Sequence, residues 1–220
     1  NNDSDFIDLN LKGSLNLLNS CVKNNIKNII LISTINVYGN SINVSSNEES
    51  ELSPQTNYGL IKLLTEELYR QFSRIYDLNI TILRLSNIFG PNKKAGYISH
   101  LINSSVFNHQ KISAYNNGNQ YRDVLFIDDA IDGIIKSLKK PLKGFNIFNI
   151  SSGTKFSINE IIKEIEKISN QKLNIEYTNE IPDESCIWAD NSKAKNVLNF
   201  SPKTSLHDGI ETTINYLKTH

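Results

Sequence analysis

Hydrophobic positions along the chain alternate between a helical spacing and short continuous runs. Residues 6–24 carry apolar side chains at helical spacing, which predicts an amphipathic helix. These side chains are Ile7, Leu11, Leu15, Leu18 and Val22. Residues 26–34 form an apolar, β-branched run that is too short for a helix. Such a run predicts a strand buried on both faces, as in a parallel sheet.

The same alternation continues to the end of the chain. A polar loop at 40–56 precedes an amphipathic helix over 57–76 and a strand over 79–85. The later predicted elements are a helix near 97–109, a strand at 111–115, a strand-to-helix passage from 123 to 138, a strand at 145–150, a helix at 157–168, a strand at 172–177, and helices near 192–198 and 205–217. This order predicts a doubly wound α/β fold with a parallel sheet. Because such folds bind ligands at the carboxyl ends of their strands, the residues that follow strands are the first candidates for chemistry.

Composition and charge argue against two classes of partner. Of the 220 residues, 39% are hydrophobic, and 23 basic side chains balance 23 acidic ones. No basic field is therefore expected to attract nucleic acid or an anionic membrane. No apolar run approaches the roughly 20 residues of a membrane span, and the first residues do not resemble a signal peptide. Cys21 and Cys186 have no metal-ligand spacing to the histidines and fit a reducing compartment, so we expect a cytoplasmic protein.

The sharpest chemical signal is Tyr58-Gly-Leu-Ile-Lys62 at the start of a predicted helix. Residues four positions apart lie on one helix face, so the lysine ammonium can reach the region of the phenol. A nearby cation and the positive end of a helix favour a phenolate, which a free tyrosine does not form at neutral pH. On its own the pair is a weak signal, because both residue types are common.

Two hydroxyl side chains, Ser33 and Thr34, end the first predicted strand in Leu31-Ile-Ser-Thr-Ile-Asn-Val-Tyr-Gly39. They either face a ligand at the strand end or bond their own backbone. With the Tyr-x-x-x-Lys pair, this segment resembles the NAD-dependent epimerase/dehydratase family, the extended short-chain dehydrogenases, and within it the nucleotide-sugar 4-epimerases. The resemblance implies a Rossmann-like fold with a smaller C-terminal α/β substrate lobe. It implies that Thr34, Tyr58 and Lys62 are catalytic, with Thr34 also orienting the sugar.

The same resemblance implies contacts to NAD or NADP. Ser33, Tyr58 and Lys62 are among the implied cofactor-binding residues. Leu9-Asn-Leu-Lys-Gly13 resembles the family's N-x-x-G helix and would add Asn10, which is otherwise a solvated helix residue. Leu83-Arg-Leu-Ser-Asn-Ile-Phe-Gly-Pro91 resembles the L-R-x-x-N-x-x-G-P segment and would place Ser86 beside the nicotinamide.

Substrate contacts follow from two further matches. The segment that ends at Pro91 would place Asn87 on the substrate, unless Asn87 is a turn residue before Gly-Pro. Tyr115-Asn-Asn-Gly-Asn-Gln-Tyr-Arg-Asp123 resembles the Y-G-x-G-x-x-x-R-D segment, which implies that Tyr115 and Arg122 bind substrate. Arg122 would pair with the nucleotide diphosphate, since a guanidinium can bond two phosphate oxygens. The alternative is an ion pair with Asp123 or Asp128. Trp188–Leu198 resembles the family's C-terminal A-D-x-S-K-A element, a structural cap.

The largest departure from the family is the lack of a glycine-rich strand-turn-helix, which holds the NAD pyrophosphate. We therefore expect the first βαβαβ half to be truncated, supplied by another chain, or lost together with the cofactor. Without that half, the 220 residues alone are expected to be inactive. Residues 1–90 are then the C-terminal half of the NAD(P)-binding domain. Residues 91–220 are mainly the substrate-binding lobe, with 123–150 partly returning to the Rossmann-like core.

Two smaller departures bear on the reaction. Ile35 and Asn36 occupy positions at which family dehydratases carry acidic residues, and neither side chain transfers protons. Glu180 stands where galactose-type epimerases often carry a second arginine. We therefore expect an NDP-sugar epimerase that is a homodimer when complete. The alternatives are an NAD(P)H-dependent keto-sugar reductase or dehydratase of the same family and, from another class, a non-catalytic binding protein.

Overall fold

The computed structural model describes residues 3–40, 44–92, 96–103, 111–180 and 186–219. The first half contains α1 (Asp3–Ile7), a π-helical turn (Asp8–Lys12), α2 (Gly13–Lys23), β1 (Asn28–Thr34), a 3-10 turn (Ile35–Val37), α3 (Asn57–Tyr76), β2 (Asn79–Leu85) and β3 (Asn87–Phe89). The second half contains α4 (Tyr97–Leu101), β4 (Ile112–Ala114), a 3-10 turn (Asn116–Gly118), β5 (Tyr121–Phe126), α5 (Ile127–Lys139), β6 (Phe145–Ile150), β7 (Lys155–Ser157), α6 (Ile158–Ser169), β8 (Ile175–Tyr177), β9 (Cys186–Ile187), α7 (Ser192–Leu198) and α8 (Leu206–Thr219).

The main sheet is parallel, with strand order β1-β2-β6. β2 lies in the middle, and six of its seven residues are buried. Successive residues of β2 point to opposite faces of the sheet, so they pack into two different hydrophobic clusters. Ile80 and Ile82 pack with α3, whereas Leu83 and Leu85 pack with α5 and α7. The expected Rossmann-like α/β architecture is confirmed.

The long helix α3 covers one face of this sheet. Thr56 ends the preceding loop in an extended conformation, and its hydroxyl accepts a bond from the amide of Gly59, which caps the helix. Asp77 ends the helix in the left-handed conformation. The buried stripe of α3 includes Tyr69 and Phe72, which pack against strands β1 and β2. The cap therefore fixes where the helix begins relative to the sheet.

A second lobe lies beyond β2 and contains short strands. β5 pairs with β3, β7 and β9, while β4 pairs with β8. The capping box of Ser157 and Glu160 starts α6, which packs with α8 over a separate apolar cluster. β6 leaves this lobe and returns to the main sheet beside β2.

Most of the predicted elements are present, but three short strands were not predicted. β3, β7 and β9 have only two or three residues each, too few for a hydrophobic period to appear. The predicted helix near 97–109 is described only as α4 and the residues just after it, and residues 104–109 lie outside the described residues. No helix among the described residues is long and apolar enough to cross a membrane.

The expectation that β1 is buried on both faces is wrong. Its burial alternates, and Ile32 is 39% exposed while Leu31 and Ser33 are buried. The face that carries Leu31 and Ser33 is covered by α2 and α3. The opposite face is covered less completely at Ile32. β1 is therefore better described as a half-buried strand.

Two isoleucine-to-alanine substitutions test this difference in burial. Ile82→Ala removes a fully buried side chain from the central strand, and we expect the free energy of unfolding to fall by about 2–5 kcal/mol. Ile32→Ala on the neighbouring strand is the matched control, and its loss should be below about 1.5 kcal/mol because its side chain is partly solvated. Urea denaturation measures both, and equal losses would contradict the burial described here.

Candidate active site

The carboxyl ends of the three parallel strands meet at one edge of the main sheet. Thr34 at the end of β1 pairs with Leu85, and Leu85 pairs with Ile150 at the end of β6. Ser86 and Asn87 directly follow β2. This edge therefore gathers several of the residues that the sequence selected.

Thr34 begins the 3-10 turn that follows β1. Its hydroxyl oxygen accepts a bond from the amide of Asn36 at 3.2 Å, which caps the turn. This is the local backbone bond that the sequence left open as an alternative. Because the oxygen acts as an acceptor here, this bond does not use the hydroxyl proton.

Gly59 lets the start of α3 rest directly on this turn. A Cβ atom at Gly59 would lie 2.7 Å from the carbonyl oxygen of Asn36 and 3.0 Å from the Cβ of Pro54. Only glycine permits so close an approach without displacing backbone. Tyr58 is the preceding residue, so the contact holds it beside the turn that follows Thr34.

Tyr58 itself is 44% exposed, and its ring packs against Phe6 with centroids 5.7 Å apart. Phe6 belongs to α1, one turn before Asn10. The amide of Asn10 donates to the carbonyl of Phe6 at 2.9 Å. Asn10 thus makes the local bond of a helix residue, and its implied contact to a cofactor stays a prediction.

Lys62 lies one helical turn after Tyr58. Its ammonium donates to the carbonyl of Ile32 at 2.8 Å, which brings a positive charge to the end of β1. Burial lowers the pKa of Lys62, and the negative charge of Glu66 opposes this shift. Two opposing effects therefore act on the charge of this lysine.

A row of polar side chains crosses the buried face of the sheet under α3. Ser33, Arg84 and Asn149 are register partners on the three adjacent strands. Glu66 of α3 meets this row, with an oxygen 2.7 Å from a guanidinium nitrogen of Arg84, and both side chains are almost fully buried. The Ser33 hydroxyl donates to Glu66 at 2.5 Å. The row joins the helix that carries Tyr58 to all three strands.

Tyr38 completes the row at its far side. Its hydroxyl accepts from Arg84 at 2.9 Å and donates to Asn149 at 2.7 Å. Burial raises the pKa of Tyr38 to about 12, although the neighbouring guanidinium favours the phenolate. The phenol stays protonated at neutral pH, as its role of donor to Asn149 requires.

The position of Ser33 differs from the expectation that it contacts a cofactor. Its side chain points to the buried face and bonds Glu66, because Ser33 shares the face of Leu31. Consecutive strand residues point to opposite faces, so Ser33 and Thr34 do not share one environment. The side chain of Ser33 is part of the buried row.

Asn87 and Arg122 line a small cavity of about 60 Å³ in the second lobe, together with Tyr97. The Asn87 amide donates to the backbone carbonyl of Asp123 at 3.0 Å, which links β3 to β5. Asn87 is therefore a strand residue with a cross-strand bond and not a turn residue. Its amide oxygen leaves an acceptor beside the cavity.

The guanidinium of Arg122 donates to the carbonyl of Tyr121 at 2.9 Å and to the amide oxygen of Gln120 at 3.3 Å. Burial raises the pKa of Tyr97 to about 12, and the charge of Arg122 opposes this shift. Tyr115 also acts electrostatically on Tyr97, which brings it into the same group. The structure thus gathers Asn87, Arg122 and Tyr97 around one cavity, and Tyr115 lies outside its lining.

The carboxylate of Asp123 bonds groups other than Arg122. Its carboxylate accepts from the amide and hydroxyl of Ser152, at 2.9 and 2.8 Å, and from the amide of Ala189 at 3.3 Å. These bonds, rather than Arg122, occupy the carboxylate. Burial nevertheless raises the pKa of Asp123, and Ser86 is among the groups that oppose this shift.

The segment that resembles a structural cap makes cap-like contacts. Ala189 forms a β-bridge with Ser46, and the carbonyl of Asp190 accepts a bond from the amide of Asn149 at 3.0 Å. The carbonyl of Glu180 accepts from the amide of Asn116 at 2.7 Å, which brings Glu180 beside Tyr115. In the part of the chain that the structure describes, no three acidic, histidine or cysteine side chains form a metal site.

Sequence reasoning missed five residues of this region: Tyr38, Gly59, Glu66, Arg84 and Asn149. Two signals were present in the sequence. Arg84 interrupts an otherwise apolar strand, and a buried charge requires a partner of opposite sign. Glu66 continues the stripe of Tyr58 and Lys62 by one more helical turn. Each signal marks one partner, but the sequence pattern does not show that the two side chains meet.

Comparisons with known proteins agree with this geometry. The sequence profile of the NAD-dependent epimerase/dehydratase family matches residues 1–151. An uncharacterized UDP-glucose epimerase of Bacillus subtilis is 32% identical over 96% of the chain, and the UDP-glucuronate 4-epimerase of Thermodesulfobacterium geofontis is 32% identical over 97%. The chain spans 66% of the length of each of these two relatives.

Two solved structures are similar to the chain. The UDP-glucuronic acid 4-epimerase from Bacillus cereus, in complex with UDP-glucuronic acid and NAD, has a TM-score of 0.88 at 32% identity. The match covers 97% of this chain and 68% of that one. The UDP-glucose 4-epimerase of Thermotoga maritima, with UDP-glucose, has a TM-score of 0.90 at 27% identity, covering 99% of this chain and 72% of that one.

The contact between Gly59 and the turn gives a direct test of the site's scaffold. We expect Gly59→Ala to lower the free energy of unfolding by about 1–3 kcal/mol, because overpacking against a backbone carbonyl outweighs alanine's helix preference of about 1 kcal/mol. Leu60→Ala, at the adjacent exposed position, is the control and should cost less than about 1 kcal/mol. Urea denaturation measures both variants. An unchanged or stabilised Gly59→Ala protein would show that the helix start does not rest on the turn.

Proposed function

The chain belongs to the NAD-dependent epimerase/dehydratase family, and we propose that the protein is a nucleotide-sugar 4-epimerase that works with bound NAD. The observation that carries the proposal is the packing of the α3 start against the end of β1. This packing brings Tyr58 and Lys62 to the sheet edge at which Thr34 lies. A base, a cation and a hydroxyl donor at the carboxyl end of a parallel sheet are the groups that such a reaction needs.

The donor set at this edge fits the nicotinamide end of NAD. The ammonium of Lys62 has three N–H donors, and the carbonyl of Ile32 takes one of them. We assign the other two to the hydroxyls of a ribose. Ser86 follows β2 at the same edge and is our candidate for the nicotinamide side. Asn10 remains a further candidate from the family resemblance.

The proposed chemistry assigns one task to each side chain. The phenolate of Tyr58 accepts the proton of the sugar's C4 hydroxyl and later returns it to the oxygen. Thr34 donates a hydrogen bond to that oxygen and fixes its position. The ammonium of Lys62 stabilises the phenolate between these two proton transfers. When bound, NAD supplies the acceptor and then the donor of the hydride.

We propose a nucleoside diphosphate sugar as substrate, with UDP as the first nucleotide to test. The similar solved structures contain UDP-glucuronic acid and UDP-glucose, which supports this choice. Arg122 is our candidate for the diphosphate, with Asn87 on the same cavity and Tyr115 as a further candidate from the family resemblance. The partly exposed tyrosines offer flat apolar surfaces against which a nucleotide can pack.

The geometry favours epimerase chemistry over a dehydratase. Ile35 is fully buried, and Asn36 bonds Thr34 through its backbone amide. Neither position carries a group that removes a second proton from the sugar. The alternative of a non-catalytic binding protein has less support, because Tyr58 and Lys62 keep an arrangement that binding alone does not require.

The proposal includes a homodimer in a reducing, cytoplasmic compartment. α2 and α3 contact each other and carry exposed leucines, namely Leu17, Leu60 and Leu64. Exposed apolar side chains on neighbouring helices are typical of protein interfaces, and a second copy is the partner we propose. The free thiols of Cys21 and Cys186 are the observation behind the proposed compartment.

Removal of the phenol hydroxyl tests the role of Tyr58. We expect Tyr58→Phe to lower the turnover of a UDP-sugar epimerisation by a factor of about 10²–10⁴, the range for loss of a general acid–base group. Binding of the sugar nucleotide should change little, because the ring remains. Tyr76→Phe, at the far end of the same helix, is the control and should keep full turnover. If Tyr58→Phe retains more than about half of the activity, Tyr58 is not the base.

Titration with UDP tests the role of Arg122. We expect Arg122→Ala to weaken UDP binding by about 1.5–3 kcal/mol, the range for hydrogen bonds to a charged group. The difference should shrink at high salt, since screening weakens the attraction. Lys111→Ala, which removes an exposed cation that pairs with Glu176, is the control. Calorimetry that finds equal UDP affinity in wild type and Arg122→Ala would remove the diphosphate assignment.

A further inference from the structure

We propose that Glu66 is a positioning residue for the proposed reaction: through its ion pair with Arg84 it holds Lys62 at the end of β1 in its working position. This inference rests on the proposed function, because it assigns Lys62 a role there. Glu66 does not touch the sheet edge itself. Its action passes through Lys62, one helical turn away.

The first argument is the register between helix and strand. Tyr58, Lys62 and Glu66 follow one another at intervals of four residues, so they form one stripe along α3. Lys62 donates to the carbonyl of Ile32, and Glu66 accepts from the hydroxyl of Ser33. Two successive turns of the helix therefore contact two successive residues of β1. A shift of α3 along β1 would therefore break both contacts.

The second argument is the rigidity of the anchor. The carboxylate of Glu66 accepts from Arg84 at 2.7, 3.1 and 3.2 Å and is 2% exposed. Arg84 is held in turn by Tyr38 and lies opposite Ser33 in the strand register. A carboxylate with so many fixed donors has one position. It therefore serves as a reference point for the helical turn that carries Lys62.

The third argument concerns charge. A buried ion pair can often be replaced by apolar side chains without loss of stability. Attachment of α3 to the sheet therefore does not by itself explain why Glu66 and Arg84 are charged. The negative charge of Glu66 raises the pKa of Lys62 against the stronger opposing effect of burial. The other groups around this lysine are the phenol of Tyr58 on α3, the Ile32 carbonyl on β1, and, behind Glu66, Arg84 on β2 and the protonated Tyr38. While Tyr58 is protonated, Glu66 is the one of these groups whose charge favours the ammonium.

The test is an NMR titration of the Lys62 side chain in protein with isotope-labelled lysine, assigned by the loss of its signal in Lys62→Arg. This measurement needs no turnover. We expect Glu66→Gln to move the titration midpoint of Lys62 to lower pH, because the charge that favours the ammonium is gone. Glu67→Gln, at the neighbouring exposed position, is the matched control and should leave the midpoint unchanged.

The Glu66→Gln substitution leaves the buried guanidinium of Arg84 unpaired, and this charge could prevent folding. A second variant keeps the test decisive in that case. Glu66→Gln combined with Arg84→Met removes both buried charges and leaves neither unpaired. In this double variant the midpoint of Lys62 should again lie below that of wild type, because Glu66 is closer to Lys62 than Arg84 is. The shift should be smaller than in Glu66→Gln alone, because the opposing positive charge of Arg84 is also removed. The Glu66→Asp variant restores the charge and should move the midpoint back toward wild type.

Kinetics supply the second readout. We expect Glu66→Gln to lower kcat for the sugar nucleotide by about 10- to 100-fold, as for a small displacement of a catalytic group, with a change in KM below about twofold. An unaltered Lys62 midpoint in folded Glu66→Gln and in the double variant would overturn the proposal and leave Glu66 a structural residue. A wild-type protein without epimerase activity would instead refute the proposed function, while the titration would still report on the positioning.

Discussion

The buried ion pair between Glu66 and Arg84 is the constraint on which the carboxyl edge of the sheet depends. Both side chains are almost fully buried, so each charge is tolerable only while the other is present. Removal of one partner from such a pair typically costs about 3–5 kcal/mol. The pair joins α3 to β2, and Ser33 and Tyr38 extend the connection to β1 and β6. One helix is thereby fixed to three strands in a single register.

This register explains why the reactive side chains lie where they do. The bonds of the row lie one residue before the strand ends, under the helix, while Thr34 lies at the edge itself and Lys62 bonds the carbonyl of Ile32 on β1. At Gly59 the backbone of α3 packs directly against the turn after Thr34. The polar groups that stabilise the fold are buried, and the side chain of Tyr58 is partly exposed. Along the stripe of α3, Glu66 at one end stabilises the fold, and Tyr58 at the other end is proposed to carry the chemistry.

Sequence patterns predicted the parallel sheet and the long helices, because each has enough residues to show a period. They also selected Tyr58, Lys62 and Thr34, but only the family resemblance gave these residues their roles. Ser33 was assigned to the cofactor because a motif does not say to which face of a strand a hydroxyl points. The pairing of Glu66 with Arg84 depends on the strand register, which single-chain periodicity does not contain. Short strands such as β7 depend on their partners in the same way.

The central proposal is that the protein interconverts C4 epimers of a nucleotide sugar by removing and returning one hydride. The most direct measurement follows UDP-glucose and UDP-glucuronic acid, each carrying deuterium at C4, by NMR with NAD and the protein completed by a glycine-rich NAD-binding half. The account predicts that the C4 epimer of one of them forms with its deuterium retained, because the same hydride returns to the sugar. An epimer that has exchanged its C4 label with solvent, or no epimer from either sugar, would contradict it.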